Sequence, residues 1–186
     1  MVGIGTKLTL EEFLALPDGD VYYEFVGGQA VPKVSPKFFH SSLQGSLCLL
    51  IRAWCRGKGR VLPEWAILLK RQDKDWAPVP DLTYISYERL PKSWRRNEAC
   101  PAIPELAIEI ISPGQTMQEF EDKAKDYLAA GVPRVWVIDP ELILIRSFFP
   151  DGSSQVYTDN MPIADELLPG LELTTLRIFE EAELID

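Results

Sequence analysis

The stretch PELAIEIISP, residues 104 to 113, is typical of a strand that a sheet buries on both faces. Its near-continuous apolar run consists of Leu106, Ala107, Ile108, Ile110 and Ile111. Glu109 interrupts that run. An ionised carboxylate shut into a protein core without partners costs several kcal/mol. The sequence therefore predicts that a positive charge meets Glu109 inside the fold.

Length and composition bound the class of protein. The chain has 186 residues, of which 46% are hydrophobic and 25% charged, as in an ordinary globular protein. We expect one domain over residues 1–186. No apolar run reaches the roughly 18 residues that span a membrane, and the N-terminal stretch does not resemble a secretion signal. The three cysteines form no CxxC pair, which is consistent with the reducing cytoplasm.

Local patterns predict an order of helices and strands. Thr9 and Glu12 form a capping box, and Gly27-Gly28 lies between the two strands of a hairpin. The remaining predicted elements are a helix over 37–56 with Phe39, Leu43, Leu47, Leu50, Ile51 and Trp54 buried, a strand over 61–71, a loop over 73–80, strands over 81–86 and 106–112, a helix over 116–130, a strand over 134–139, a hairpin from 142 to 158, and a short strand with a terminal turn or helix in the tail.

This order indicates an α/β protein with a central mixed sheet flanked by helices and an N-terminal hairpin. The helix over 116–130 would connect two parallel strands, and the other strand pairs would be antiparallel.

Two acids, Asp81 and Glu109, begin or interrupt predicted neighbouring strands. If their side chains lie together, they need a compensating charge. A hard cation such as Mg²⁺, or Mn²⁺ in its place, would supply it, with the backbone carbonyl of Ile110 as a further ligand.

Lys123 lies on the predicted helix that follows Glu109, and a crossover helix packs back over its own sheet. Lys125 points about 200° away around the helix. The helical pattern alone favours the alternative, a solvated helix on which Glu119 and Glu121 pair with these lysines. Glu24 is either a further ligand or an exposed hairpin acid.

His40 is the one histidine of the sequence. A surface or capping role is the favoured interpretation, and a phosphate contact is the alternative.

The charge is unevenly distributed along the chain. Residues 151–186 carry nine acids and one base, whereas residues 52–96 carry eleven bases and five acids. A basic surface on an acidic protein could hold DNA. The candidate DNA-backbone contacts are Arg52, Arg56, Lys58, Arg60, Arg95 and Arg96.

These motifs resemble the PD-(D/E)XK nuclease superfamily, through Pro80-Asp81, Glu109 and a nearby lysine. More narrowly, ELAIEIISPGQTMQEFEDKAKDYLAAGVPRVWVIDP and YYEFVGGQAV resemble the Uma family, which is described as a family of restriction endonucleases. The resemblance covers most of residues 8–140. In the superfamily pattern the lysine lies two residues after the strand acid, where this chain has Ile111.

The resemblance implies a restriction-endonuclease-like fold and a Mg²⁺-dependent DNA endonuclease. It implies that Asp81 and Glu109 bind metal, that Lys123 is catalytic and that Glu24 is an auxiliary acid. If each chain has one active site, a homodimer would suit the cleavage of both DNA strands.

Two other functions remain open from the residues. A carboxylate pair also serves glycosidases, and Trp65, Trp76 and Trp94 could then contact sugar. Alternatively, the chain is an inactive module of the same fold that binds nucleic acid or a protein.

Overall fold

The computed structural model describes residues 7–17 and 21–186. Within them, four helices and ten strands follow in chain order: α1 (Leu10–Leu14), β1 (Tyr23–Val26), β2 (Gln29–Pro32), α2 (Phe38–Trp54), β3 (Gly59–Pro63), β4 (Leu69–Arg71), β5 (Lys74–Ala77), β6 (Leu82–Ser86), β7 (Leu106–Ile110), α3 (Met117–Ala129), β8 (Arg134–Asp139), β9 (Leu144–Phe148), β10 (Ser154–Tyr157) and α4 (Thr175–Glu181). None of the helices in this part of the chain is both long and apolar enough to cross a bilayer.

A six-stranded mixed sheet forms the centre of the fold, in the order β10-β9-β8-β7-β6-β3. Strands β7 and β8 are parallel and the other neighbours are antiparallel. Helix α3 connects the two parallel strands, as a crossover must. The mixed α/β architecture predicted from the sequence is confirmed.

Alternation along β7 assigns its side chains to two different cores. Leu106, Ile108 and Ile110 pack with α2 and α4 on one face of the sheet. Ala107 packs on the other face, where α3 and part of the second sheet cover it. Because side chains two apart in a strand share a face, Glu109 lies on the α3 side.

The N-terminal hairpin β1–β2 belongs to a second sheet, in the order β2-β1-β5-β4. The predictions of one strand over 61–71 and a loop over 73–80 were therefore wrong. Glu64 adopts a positive φ of 48°, which ends β3, and Gln72 and Asp73 at φ 50° and 61° form the tight turn between β4 and β5. Two successive residues with positive φ are what a type I′ hairpin turn requires.

The predicted capping box at α1 is present, with Thr9 as the N-cap residue, and α3 begins with a second one at Thr116. The prediction that Phe39 is buried in the stripe of α2 was wrong, because this ring is 51% exposed. The strand expected in the tail reduces to a single bridge between Pro162 and Thr174, followed by α4.

Candidate active site

Three acids lie side by side at one end of the central sheet. Strands β3 and β6 pair up to Pro63 and Leu82, so the next residues, Glu64 and Asp81, are opposite each other; the Glu64 N–H donates to the Asp81 carbonyl over 3.3 Å. Continuing the pairing of β6 with β7 by one residue places Asp81 opposite Glu109. Neighbouring strands therefore bring together the two acids that the sequence singled out.

Asp81 is 3% exposed and is held by three donors. Its Oδ2 accepts from the Ile110 N–H over 2.7 Å and lies 3.1 Å from His40 Nε2, while its Oδ1 accepts from Lys33 Nζ over 3.0 Å. Burial on its own would raise the pKa of Asp81, but the contact with His40 and the charge of Lys33 outweigh it and lower the pKa to about 2. Asp81 is a permanently ionised carboxylate at neutral pH.

Glu109 is also 3% exposed, yet its environment raises its pKa, whereas that of Asp81 lowers it. Its Oε1 accepts from the Tyr127 hydroxyl over 2.7 Å and lies 3.0 Å from Lys123 Nζ. Burial raises the pKa of Glu109 and the Asp81 carboxylate adds to that, so that the pKa reaches about 7 although Lys123 opposes it. The two lysines of the site do not fully neutralise the buried negative charge.

Lys123 joins the sheet acid to the N-terminal hairpin. Its Nζ donates to Glu24 Oε1 over 2.8 Å and lies 3.0 Å from Glu109. Burial would lower the pKa of Lys123, but Glu109 and Glu24 raise it above its ordinary range. Lys125 lies on the opposite face of α3, where it is exposed and pairs with Asp122.

The two acids of α3 that could have paired with these lysines have other partners. Glu119 accepts from the Thr116 N–H over 2.6 Å as part of the capping box. Glu121 forms an ion pair with Arg146 of β9. The solvated-helix interpretation of Lys123, which the helical pattern favoured, was therefore wrong.

Glu24 lies inside the fold, so its interpretation as an exposed hairpin acid was also wrong. Besides Lys123, its Oε1 accepts from the Val79 N–H over 3.1 Å. The hairpin β1–β2 thus contributes an acid to the same site from a different sheet.

The favoured interpretation of His40, a surface or capping role, was wrong as well. His40 is buried in the first turn of α2, and the N-cap residue Lys37 makes no side-chain capping bond. The histidine instead faces Asp81 and supports its ionised form.

Lys33, Gln44 and Glu64 also belong to the site, although none of them was predicted from the sequence. Lys33 Nζ binds Glu64 over 2.7 Å, and Gln44 Nε2 donates to Glu64 and to the Asp81 carbonyl over 2.9 Å each. The available signal was that Glu64 follows an apolar strand, as Asp81 precedes one. The positive φ of Glu64 costs on the order of 1–3 kcal/mol, a strain that often occurs at functional sites.

The acids and lysines of the site surround an open cavity of about 250 Å³, the carboxylate cavity. The charged and polar side chains that line it are Glu24, Lys33, His40, Glu64, Asp81, Glu109, Ser112, Gln115, Glu119 and Lys123. Lys125 does not line it, whereas Ile110 does.

Comparison with known proteins connects the chain to a family. The family model Uma2, described as "putative restriction endonuclease", matches residues 10–176. The chain belongs to the Uma2 family. No curated protein matches it.

A crystal structure of a nuclease from Anabaena variabilis, described as putative and assigned to DUF820, is similar to this Uma2 chain with a TM-score of 0.80. The two are 23% identical, and the match covers 94% of this chain and 99% of the other. The restriction-endonuclease-like fold predicted from the sequence is thereby confirmed.

The site of this Uma2 chain suits a hard divalent cation. Among residues 7–17 and 21–186, no three His, Cys, Asp or Glu side chains form a metal-binding cluster. Mg²⁺ needs fewer, because it binds through one or two carboxylates and keeps several waters. The ionised Asp81 and the incompletely neutralised Glu109 provide such a donor pair, and both are oxygen ligands.

Most of the basic residues expected at DNA lie away from these acids. Arg60 pairs opposite Ile85 near the far end of β6, roughly 13 Å from Asp81 at about 3.3 Å per residue. Arg60 also donates to the backbone of Pro91 and Trp94, which brings the loop with Arg95 and Arg96 to that end. Arg52 and Arg56 line a cavity with Arg60 there.

The tryptophans offered for a sugar site do not line the carboxylate cavity. Trp76 is buried against Tyr127, with ring centroids 4.8 Å apart, and Trp65 packs on Trp94. In the part of this Uma2 chain that the structure describes, the geometry gives the glycosidase interpretation no support.

Proposed function

We propose that this chain is a Mg²⁺-dependent DNA endonuclease that hydrolyses phosphodiester bonds in the carboxylate cavity. The observation that carries the proposal is the 3.0 Å contact between Lys123 and Glu109, because it joins the helix lysine to the acid opposite Asp81. The family description and the fold of the Anabaena variabilis nuclease support the same reaction class.

Asp81 and Glu109 would hold Mg²⁺, with the Ile110 carbonyl and waters completing the ligands, and Mn²⁺ would substitute for Mg²⁺. When bound, the ion supplies Lewis acidity, which lowers the pKa of a bound water and polarises a phosphoryl oxygen. His40 keeps Asp81 ionised, and Tyr127 fixes the orientation of Glu109 through its hydroxyl.

Lys123 stabilises the negative charge that develops on the phosphoryl oxygens as the water attacks. A fixed ammonium at a partly buried position stabilises such charge more than an ammonium in bulk water does. Glu24 holds that ammonium in position through the 2.8 Å bond, and Lys33 supplies a second positive charge beside Asp81. The role of Glu24 is therefore to position Lys123.

The test compares Lys123→Gln with Lys125→Gln on supercoiled plasmid. Both lysines are on α3, but only Lys123 faces the cavity. With Mg²⁺ or Mn²⁺ we expect the wild type and Lys125→Gln to nick and linearise the plasmid, and Lys123→Gln to be slower by about 100-fold or more. Chelation should stop all cleavage.

Cleavage by Lys123→Gln at the wild-type rate would contradict the assigned role of Lys123. A wild-type protein that leaves plasmid intact with either metal would favour the remaining alternative, an inactive binding module of the same fold.

The same proposal bears on the oligomeric state and the cellular compartment of the protein. Cleavage of both DNA strands by one site per chain would need two copies, so we propose a homodimer. The free thiols Cys48, Cys55 and Cys100 suit the reducing cytoplasm. Sedimentation of the protein with and without duplex DNA would test the dimer.

A further inference from the structure

Two neighbouring phenylalanines at the start of α2 are open to solvent beside the candidate active site. Phe38 is 67% exposed and Phe39 is 51% exposed, and their ring centroids are 6.0 Å apart. They directly precede His40, which contacts Asp81. Large apolar groups exposed together usually mark a surface that binds something.

The two rings border a pocket of about 370 Å³. Pockets that enclose small ligands measure roughly 300–1,000 Å³. Its apolar wall continues through Met117 and Pro140, and Asp139 stands on the wall as a polar group. The pocket is thus aromatic and apolar, with two carboxylates, Asp139 and Glu141, that can accept hydrogen bonds.

This pocket adjoins the carboxylate cavity. His40, Ser112 and Gln115 line both of them. A molecule whose one part lies in the cavity can therefore place an adjoining part against the rings.

The chemistry of the surroundings points to a flat, uncharged heterocycle that carries a phosphate. Exposed aromatic rings stack on nucleobases of any sequence. Asp139 Oδ1 accepts from two backbone N–H groups, over 2.9 and 3.0 Å, which fixes the carboxylate where it can also accept from the amino group of a base. Lys37 is exposed at the same mouth, where the positive N-terminus of the 17-residue α2 lacks a side-chain cap.

We propose that this pocket holds an unpaired nucleobase of the DNA whose phosphate lies in the cavity. The inference rests on the proposed function and names its substrate class: single-stranded DNA, or duplex with a locally unpaired base. A base inside a duplex is stacked between its neighbours and cannot enter a side pocket without leaving the helix.

The test measures stacking and binding without cleavage. An oligonucleotide with one 2-aminopurine, whose emission changes on stacking, is titrated with protein in Ca²⁺, both as a single strand and in full duplex. We expect the single strand to bind at least about fivefold more tightly than the duplex and its emission to change. Phe38→Ala/Phe39→Ala should lose that emission change and bind the single strand about fivefold or more weakly.

Two variants make the result specific. Phe38→Trp should keep the emission change, because it retains an aromatic surface. Leu49→Ala should also keep it, because Leu49 is 64% exposed on the same helix, eleven residues away, and lies outside the pocket.

Unchanged single-strand binding by the double variant would overturn the proposal, as would duplex binding of equal strength with no emission change. If the wild type sediments as a dimer that the double variant does not form, while emission is unaffected, the rings belong to an interface and the proposal also fails.

Cleavage is read separately, on plasmid with Mg²⁺. A stacking signal without any cleavage would support the pocket and contradict the proposed nuclease. Cleavage without a stacking signal would support the proposed nuclease and contradict the nucleobase pocket.

Discussion

Glu109 shows how single side chains set the chemistry of the site. It is buried between Tyr127 and Lys123, with Asp81 opposite it, and its pKa rises to about 7 while that of Asp81 falls to about 2. The difference follows from burial and from their partners: Asp81 has donors on both oxygens, whereas Tyr127 and Lys123 both contact the same oxygen of Glu109, Oε1. Without a cation, Glu109 is the group whose ionisation opposes folding.

Glu109→Gln should therefore change stability in a pH-dependent way. A pKa raised from 4.5 to about 7 gives stability that is present below pH 4.5 and lost as pH rises through 7. Glutamine does not titrate, so in chelator the variant should gain on the order of 1–3 kcal/mol over wild type at pH 8 and little at pH 5. Thermal unfolding at both values measures this.

The control is Glu98→Gln, an exposed loop acid whose carboxylate lies 3.9 Å from Arg96. It should show no such difference between pH 5 and pH 8. A Glu109→Gln variant less stable than wild type at pH 8 would contradict the electrostatic account of this carboxylate.

The residues that sequence reasoning found are those with a local anomaly. Glu109 stands out because it is an acid inside an apolar run. Lys123 is suggested by its position on α3, the helix that follows the strand of Glu109. Lys33 has no such signal, because its contact with Asp81 joins residues 48 apart in the chain. That contact depends on how the second sheet lies against the central sheet. His40 was placed at the surface because its helix-start position does not reveal which way the first turn faces.

At the level of helices and strands, register does most of the positioning. The antiparallel pairs β3–β6 and β6–β7 align three acids, and the crossover α3 covers the face on which Glu109 lies. Period-2 and helical patterns predicted these elements well. They did not predict the break between β3 and β4, because a glutamate with positive φ is uncommon and Glu64 gives no local indication of it.

Strand β3 fixes Glu64 beside Asp81, and its pairing depends on Gly59. A Cβ there would lie 2.6 Å from the Tyr84 ring and 2.7 Å from the Ile85 carbonyl oxygen. Gly59→Ala should lower the free energy of unfolding by about 1–3 kcal/mol, since the strand must shift to avoid this overlap. Denaturant unfolding measures it.

Gly45→Ala is the matched control. Gly45 is exposed in the interior of α2, where a Cβ would meet nothing within 4 Å. This variant should gain about 0.5–1 kcal/mol, because alanine is the better helix former. Equal effects of the two substitutions would show that the pairing of β3 does not depend on the close approach of Gly59 to β6.

The whole molecule separates its charges. Acids gather at one end of β6 and in the tail, whereas Arg52, Arg56 and Arg60 meet at the other end of that strand. The distance of roughly 13–17 Å between the two ends corresponds to about four or five phosphates along one strand of a DNA duplex. One bound strand can therefore reach both regions, although the basic residues do not line the cavity.

This arrangement predicts a defined salt dependence of DNA binding. If Arg52 and Arg56 each contact a phosphate, the double change Arg52→Gln/Arg56→Gln should reduce the slope of log K against log salt by about 2. Anisotropy titrations in Ca²⁺ at several salt concentrations give that slope. Arg177→Gln, in the acidic tail, should leave it unchanged, and an unaltered slope in the double variant would exclude this surface as a DNA contact.

The site as a whole is tested most directly by crystals grown with Mn²⁺ and measured at an energy where manganese scatters anomalously. We predict a peak at roughly 2.0–2.3 Å from both the Asp81 and the Glu109 carboxylates, with Lys123 Nζ remaining beside it. Crystals saturated with Mn²⁺ that show no peak there, with Lys33 and Lys123 still bound to the two acids, would contradict the metal-dependent mechanism.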